Sequence, residues 1–174
     1  MPDTNISATD ENIGVSDKKM ATVDRPVNIV TTSGNYEGSV NLNLSNVQIN
    51  RVSDLFVKSD IAFLPIYNTT AKGEKDHEII VNIKDIAMVI PNDKLPTPAP
   101  ELRKDVQVTV KLKYDLGQLI GKVNLLGDTK RSDRISDLLN TPGKKWLILY
   151  DASYKGKNIS AAIINIDFIS MVED

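Results

Sequence analysis

The sequence matches itself when slid by 83 residues, and this repeat limits what the chain can fold into more than any other feature. Without a gap, Val27 falls on Val110, Gly34 on Gly117 and Gly38 on Gly121. Val40-Asn41-Leu42 falls on Val123-Asn124-Leu125, and Arg51-Val52-Ser53-Asp54-Leu55 on Arg134-Ile135-Ser136-Asp137-Leu138. Ile80, Asn82, Ile83, Ile86, Met88 and Val89 meet identical residues at Ile163, Asn165, Ile166, Ile169, Met171 and Val172. About 20 of roughly 63 aligned positions are identical, which makes the chain two copies of one small unit. A unit of about 65 residues lies near the lower limit for a self-sufficient core, because a domain of about 60 residues buries only about 60% of its chain surface. Each copy is therefore expected to lean on the other or on another subunit.

Within each copy the pattern is that of short strands. Val27-Asn28-Ile29-Val30 and Val106 to Leu112 alternate apolar and polar residues, the signature of half-buried strands. Gly38 and Gly121 lie inside the second strand, where glycine marks a bulge or a sharp bend. Ser53 and Ser136 precede short apolar runs and are read as N-caps of a helical turn, each hydroxyl accepting an early backbone N–H. A third strand ends at Tyr67 or Tyr150, and a fourth runs over His77–Val81 or Ile159–Ile164. Residues 82–85 and 165–168 are read as one tight helical turn each, followed by a short last strand.

The division expected is a disordered tail over residues 1–24, a first β unit over 25–91, a proline-rich linker over 92–104 and a second β unit over 105–174. The tail is rich in Asp, Asn, Ser and Thr and has too little apolar surface to offset the entropy of ordering. Pro91 immediately before the linker and Pro96, Pro98 and Pro100 within it favour an extended spacer.

Five short strands with a one-turn insertion before the last resemble the small barrels of the Sm-like and SH3-like class. The closing Asn-Ile-x-x-Ile-x-x-Val segment carries most of that likeness. The whole repeat, with its Arg-x-Ser-Asp-Leu segment, also resembles an uncharacterised bacterial domain family, which implies a fold and no activity. The expected fold is thus all-β: two tandem five-stranded Sm-like or SH3-like barrels, each with one short helical turn. The RNA-binding loops of Sm proteins have no counterpart in this sequence.

Several chemistries are set aside by residue content. There is no cysteine, so no disulfide or thiolate site, and His77 is the only histidine. A net charge of -2 gives no basic face for bulk nucleic-acid binding. Paired carboxylates do not repeat in place, since Lys84 falls on Asp167 and Asp85 on Phe168. No phosphate-cradling glycine loop occurs. The expectation is therefore no catalytic residue, no metal and no cofactor. With no apolar run long enough to span a bilayer and no secretory signal, the location expected is cytoplasmic, without membrane contact.

The site candidates are polar. Arg51, Ser53 and Asp54, with Arg134, Ser136 and Asp137, form a duplicated cluster in which each arginine has the geometry to grip a carboxylate or phosphate. The plain structural reading, a capped turn with a locally paired arginine, is preferred. Asp151, Ser153 and Gly156 form an Asp-x-Ser-x-x-Gly segment that resembles the second signature of PilZ domains, which bind cyclic di-GMP. Arg131 and Arg134 stand where the first signature would lie, but the spacing is wrong, and Lys130 does not replace a forking guanidinium. Lys130-Arg131-Ser132-Asp133-Arg134 with Trp146 makes a local basic stretch on which a base would stack. Trp146 is instead read as a core residue, because its partner in the first copy is Phe63. The function expected is a non-catalytic binding or assembly module that recognises a protein partner or itself as a homo-oligomer, with a PilZ-like sensor and an Sm-like RNA binder as alternatives.

Overall fold

The computed structural model describes residues 22–43, 49, 51–58, 60–69, 77–93, 95, 99, 103–126 and 134–174. Residues 1–21 of the tail expected over 1–24, Arg131 and most of the proline-rich linker lie outside the described residues. Thr22, Val23 and Asp24, placed in the tail by composition, belong to the first strand, where they pair with Asn43, Leu42 and Asn41.

The first repeat contains β1 (Thr22–Thr31), β2 (Asn35–Asn43), α1 (Val52–Val57), β3 (Phe63–Thr69), β4 (His77–Asn82) and β5 (Ile86–Pro91). The second contains β6 (Asp105–Leu112), β7 (Gln118–Asn124), α2 (Ile135–Leu139), β8 (Trp146–Tyr154), β9 (Lys157–Asn165) and β10 (Ile169–Glu173). A single 3-10 turn precedes the last strand of each repeat, at Ile83–Asp85 and Ile166–Phe168, where the sequence places it. Asn82 and Asn165 cap these turns by accepting the backbone N–H of Lys84 and Asp167.

All ten strands join one open antiparallel sheet in the order β10-β6-β7-β8-β9-β5-β1-β2-β3-β4. Each repeat contributes its strands in the same order: last, first, second, third, fourth. The two halves meet where β5 pairs with β9. Among the described residues no ladder closes either set of five strands on itself, so the observed architecture is all-β with one continuous sheet.

The ladders correct the gapless repeat. Val27 pairs with Gly38, and Val108, not Val110, pairs with Gly121. The first strands therefore align at an offset of 81, and the remainder at 83. The extra length lies in the hairpin after β6. Thr31 N–H reaches Gly34 O across a short turn, whereas Leu112 N–H reaches Gly117 O across two more residues. Tyr114 and Asp115 take up the difference in the left-handed region, at φ 57° and 54°. A slip of two residues leaves every side chain on its own face of the strand, so alternation alone cannot detect it. The longer hairpin leans over the nearby 3-10 turn. Tyr114 meets Phe168 edge to face at 5.9 Å, and Lys113 Nζ donates to Asp167 O at 2.6 Å. This explains why Phe168 is buried although its counterpart Asp85 is exposed.

Gly121 marks a bulge, as expected, with the β7–β8 register shifting between Ile120 and Lys122. A Cβ at this position would lie 2.9 Å from Ala152 Cβ and 3.2 Å from Tyr150 O, so only glycine lets the strands approach this closely.

The helices are short because their apolar stripe is short. α1 turns Val52 and Phe56 into the core, and α2 turns Ile135 and Leu138. The expected serine caps are not formed. Arg51 and Arg134 occupy the N-cap positions with extended backbones, and neither makes a side-chain cap bond. Ser53 and Ser136 lie one residue inside the helix, too far along to accept the first free N–H groups.

Candidate functional site

The internal joint between the repeats is the most informative surface of the molecule. Met88 lies opposite Ile164, and Val89 opposite Ile163. One face of the joint feeds the core of the second repeat, in which Val30, Met88 and Ile90 pack with Val108, Leu119, Leu149 and Ile164. The other face feeds the core of the first, in which Trp146 and Ile163 pack with Ile29, Phe56, Ile86 and Val89. Each core is thus completed by side chains from the other repeat. Trp146 meets Phe56 edge to face, with ring centroids 4.9 Å apart at 62°. Asn165 is buried, and its Nδ2 donates across the joint to Ile86 O at 3.1 Å. A bond of this kind matters mostly because leaving either group unpaired in the interior costs about 1–3 kcal/mol. The Lys145–Asp60 pair at 3.2 Å also crosses between the repeats, but both side chains are exposed, so it adds little. The start of the linker is tied to both halves: Arg25 pairs with Asp93 at 2.9 Å, and Ser160 Oγ donates to Asp93 O.

This joint consumes one edge of each repeat and leaves the other two open. Among the described residues the free edges are β4 and β10. Their residues are the counterparts of those in the joint, yet they face outward. Phe63 is 58% exposed and Ile80 is 67% exposed, whereas their equivalents Trp146 and Ile163 are 5% and 0% exposed. Met171 is 42% exposed, whereas Met88 is fully buried. Trp146 is buried, as expected, but Phe63, the partner on which that expectation rests, is not. Among the described residues no strand lies beyond β4 to cover it.

The polar residues singled out from sequence do not converge on one pocket. Asp54 is buried and accepts from Lys58 Nζ at 2.9 Å, an i,i+4 pair on α1. Asp137, its counterpart, is exposed. Among the described residues no ion pair joins Arg51 or Arg134 to a carboxylate. Ser136 contributes its backbone carbonyl, which accepts from Asn140 Nδ2 at 2.8 Å. Asp151 sits within β8 at φ 45°, beside the Gly121 bulge, and pairs with Lys122 at 3.2 Å. Ser153 is also within β8, so the hairpin tip is Lys155-Gly156 alone. Both tip residues have positive φ, 50° and 75°, the conformation of a tight two-residue hairpin. Ser153 and Gly156 share only a shallow hollow of about 200 Å³ with Gln118, Ile120 and Lys155. Asp151 does not line it.

A larger cleft of about 530 Å³ lies across the joint. Asn28, Asn35 and Glu37 line it from the first repeat, and Lys155, Lys157 and Asn158 from the second. Asn28 Oδ1 is buried there without a hydrogen-bond partner. Among the described residues no group of three His, Asp or Glu side chains is placed to hold a metal, and no helix is long and apolar enough to cross a membrane.

That each copy leans on the other was expected, but the β5–β9 pairing that joins them was not, although one signal pointed to it. Ile79-Ile80-Val81 and Ala161-Ala162-Ile163-Ile164 are continuous apolar runs, which suit strands covered on both faces. Comparison of the chain with family models, curated proteins and solved structures gave no match.

Proposed function

We propose that the chain is a non-catalytic binding and assembly module that engages protein by strand addition at its open sheet edges. The observation carrying this reading is the exposure of Phe63 and Ile80 on β3 and β4, at positions whose equivalents are buried in the joint. An edge strand presents unpaired backbone groups, and folded chains ordinarily blunt it with charge or proline. Here β4 carries the charge of Glu78, but Ile80 on the same strand and Phe63 on the neighbouring β3 leave apolar surface exposed beside it. Main-chain pairing supplies affinity in such a contact, and side chains on the strand supply selectivity. In this reading each set of five strands acts as an Sm-like or SH3-like barrel-type module, the two fused through one sheet, in a cytoplasmic protein.

The test compares immobilised wild-type chain with the Phe63→Lys and Ile80→Lys variants for capture of protein from a lysate. Both sites are exposed, so the variants keep their fold. The expected result is capture by the wild type that both variants lose. Identical profiles for all three chains would exclude the β4 edge as the binding surface.

A further inference from the structure

We propose that the partner is a second copy of this chain, whose β10 pairs with the open β4 in the register of the internal joint. The inference rests on the edge-binding reading and specifies what fills the edge. The joint is heterologous: a fourth strand, β9, pairs with a fifth strand, β5. Among the described residues the sheet then ends in a free fourth strand, β4, on one side and a free fifth strand, β10, on the other. The two open edges are therefore the two halves of the same contact, displaced by one repeat.

The repeat gives the register. Met88 opposite Ile164 becomes Met171 of one chain opposite Val81 of the next. Val89 opposite Ile163 becomes Val172 opposite Ile80. Trp146 against Phe56 becomes Phe63 against Leu139. The Asn165 bond to Ile86 O becomes Asn82 Nδ2 to Ile169 O. On the receiving side, Leu139, Ile169 and Val172 pack on the second core but remain partly exposed. Their equivalents Phe56, Ile86 and Val89 are 4%, 0% and 0% exposed, because Trp146 and Ile163 cover them. Phe63 and Ile80 of another copy supply the missing cover.

The outer contact differs from the inner one on its second face. Ile90 is replaced by Glu173, Val30 by Lys111 and Ala161 by Glu78. Continuing the antiparallel register sets Glu78 opposite Asp174, and like charges facing each other weaken a strand pair. The outer contact is consequently the weaker, and it forms between chains as concentration rises. A heterologous contact closes into a ring or runs on as a filament, and does not stop at a two-fold dimer.

Sedimentation velocity on the full chain over a concentration series, with Ile80→Asp and Met171→Asp variants, tests this. The wild type is expected to grow from 19.2 kDa into larger species. Each variant places a charge in the contact, weakens association by about tenfold or more and stays at monomer mass. Mixing the two variants in equal amounts leaves one intact β10 and one intact β4, so the mixture forms a species of twice the monomer mass and nothing larger. Both residues are exposed, and unchanged circular dichroism and melting of the dilute variants confirm that folding is intact. A Met171→Asp chain that still dimerises would show a β4–β4 contact and overturn the proposal. A wild type that stays monomeric throughout would also overturn it. If that monomer still captures another protein through Ile80, edge binding survives and only the second copy is excluded; if capture is also absent, both readings fall.

Discussion

Trp146→Ala and Phe63→Ala form a matched pair that separates a completed joint from an open edge. The two residues occupy the same place in the repeat, and only their cover differs. Trp146 is 5% exposed and packs edge to face on Phe56. Burying an aromatic of about 200 Å² at about 25 cal/mol per Å² gives an upper bound near 5 kcal/mol. Truncating a buried Trp or Phe to Ala typically costs about 3–5 kcal/mol, and the shared core makes that range apply to Trp146→Ala. Phe63 is 58% exposed, and a surface substitution of this kind changes stability by within about 0.5 kcal/mol. Equilibrium urea unfolding at low protein concentration measures both. Because each core holds side chains from the other repeat, wild-type unfolding is expected as a single transition. Trp146→Ala loosens that coupling and lowers the midpoint strongly. Equal costs for the two variants would refute the reasoning, since Phe63 would then be buried in the monomer. A negligible cost for Trp146→Ala would refute it equally, because the joint would contribute nothing to folding.

Three further outcomes follow from particular contacts. Gly121→Ala forces a Cβ to 2.9 Å from Ala152 Cβ, and overpacking of this kind costs about 1–3 kcal/mol; a lowered urea midpoint that Ala152→Gly partly restores is the expected result. Asn165→Ala leaves Ile86 O without its buried donor and removes the 3-10 cap, so it should cost about 1–3 kcal/mol in thermal unfolding, clearly more than Asn82→Ala, which removes only the corresponding cap from the open edge in the monomer. Isothermal titration with cyclic di-GMP is expected to give no heat, because Asp151 is engaged by Lys122 and lies outside the hollow shared by Ser153 and Gly156; binding that Arg134→Ala abolishes would restore the sensor reading.

Much of the fold was legible because its determinants are local. The helical turns before the last strands, the bulge at Gly121 and the strand alternation all act over a few residues, and lie where the sequence suggested. The misplaced match of Val27 has an equally local reason: strands repeat every two residues, so a two-residue insertion in a hairpin leaves the pattern intact. The serine caps failed because a short helix start held by tertiary packing at Val52 and Ile135 needs no side-chain cap. The candidate site was much less legible. Whether Phe63 or Trp146 is covered depends on which strand lies beside it, and that pairing joins Val89 to Ile163 across a long stretch of chain. No residue type at position 63 announces it. The polar motifs drew attention by their composition, but they lie at the helix start and along the β8 hairpin, in separate places.

Cross-strand nuclear Overhauser contacts at β5–β9 are the most direct measurement of the central claim, that the two repeats share one sheet and leave the equivalent edges open. In dilute solution, contacts between Met88 or Val89 and Ile163 or Ile164 are expected, while those between Met171 or Val172 and Ile80 or Val81 are absent and emerge only as concentration rises. Absence of the first set in a folded chain would contradict the account.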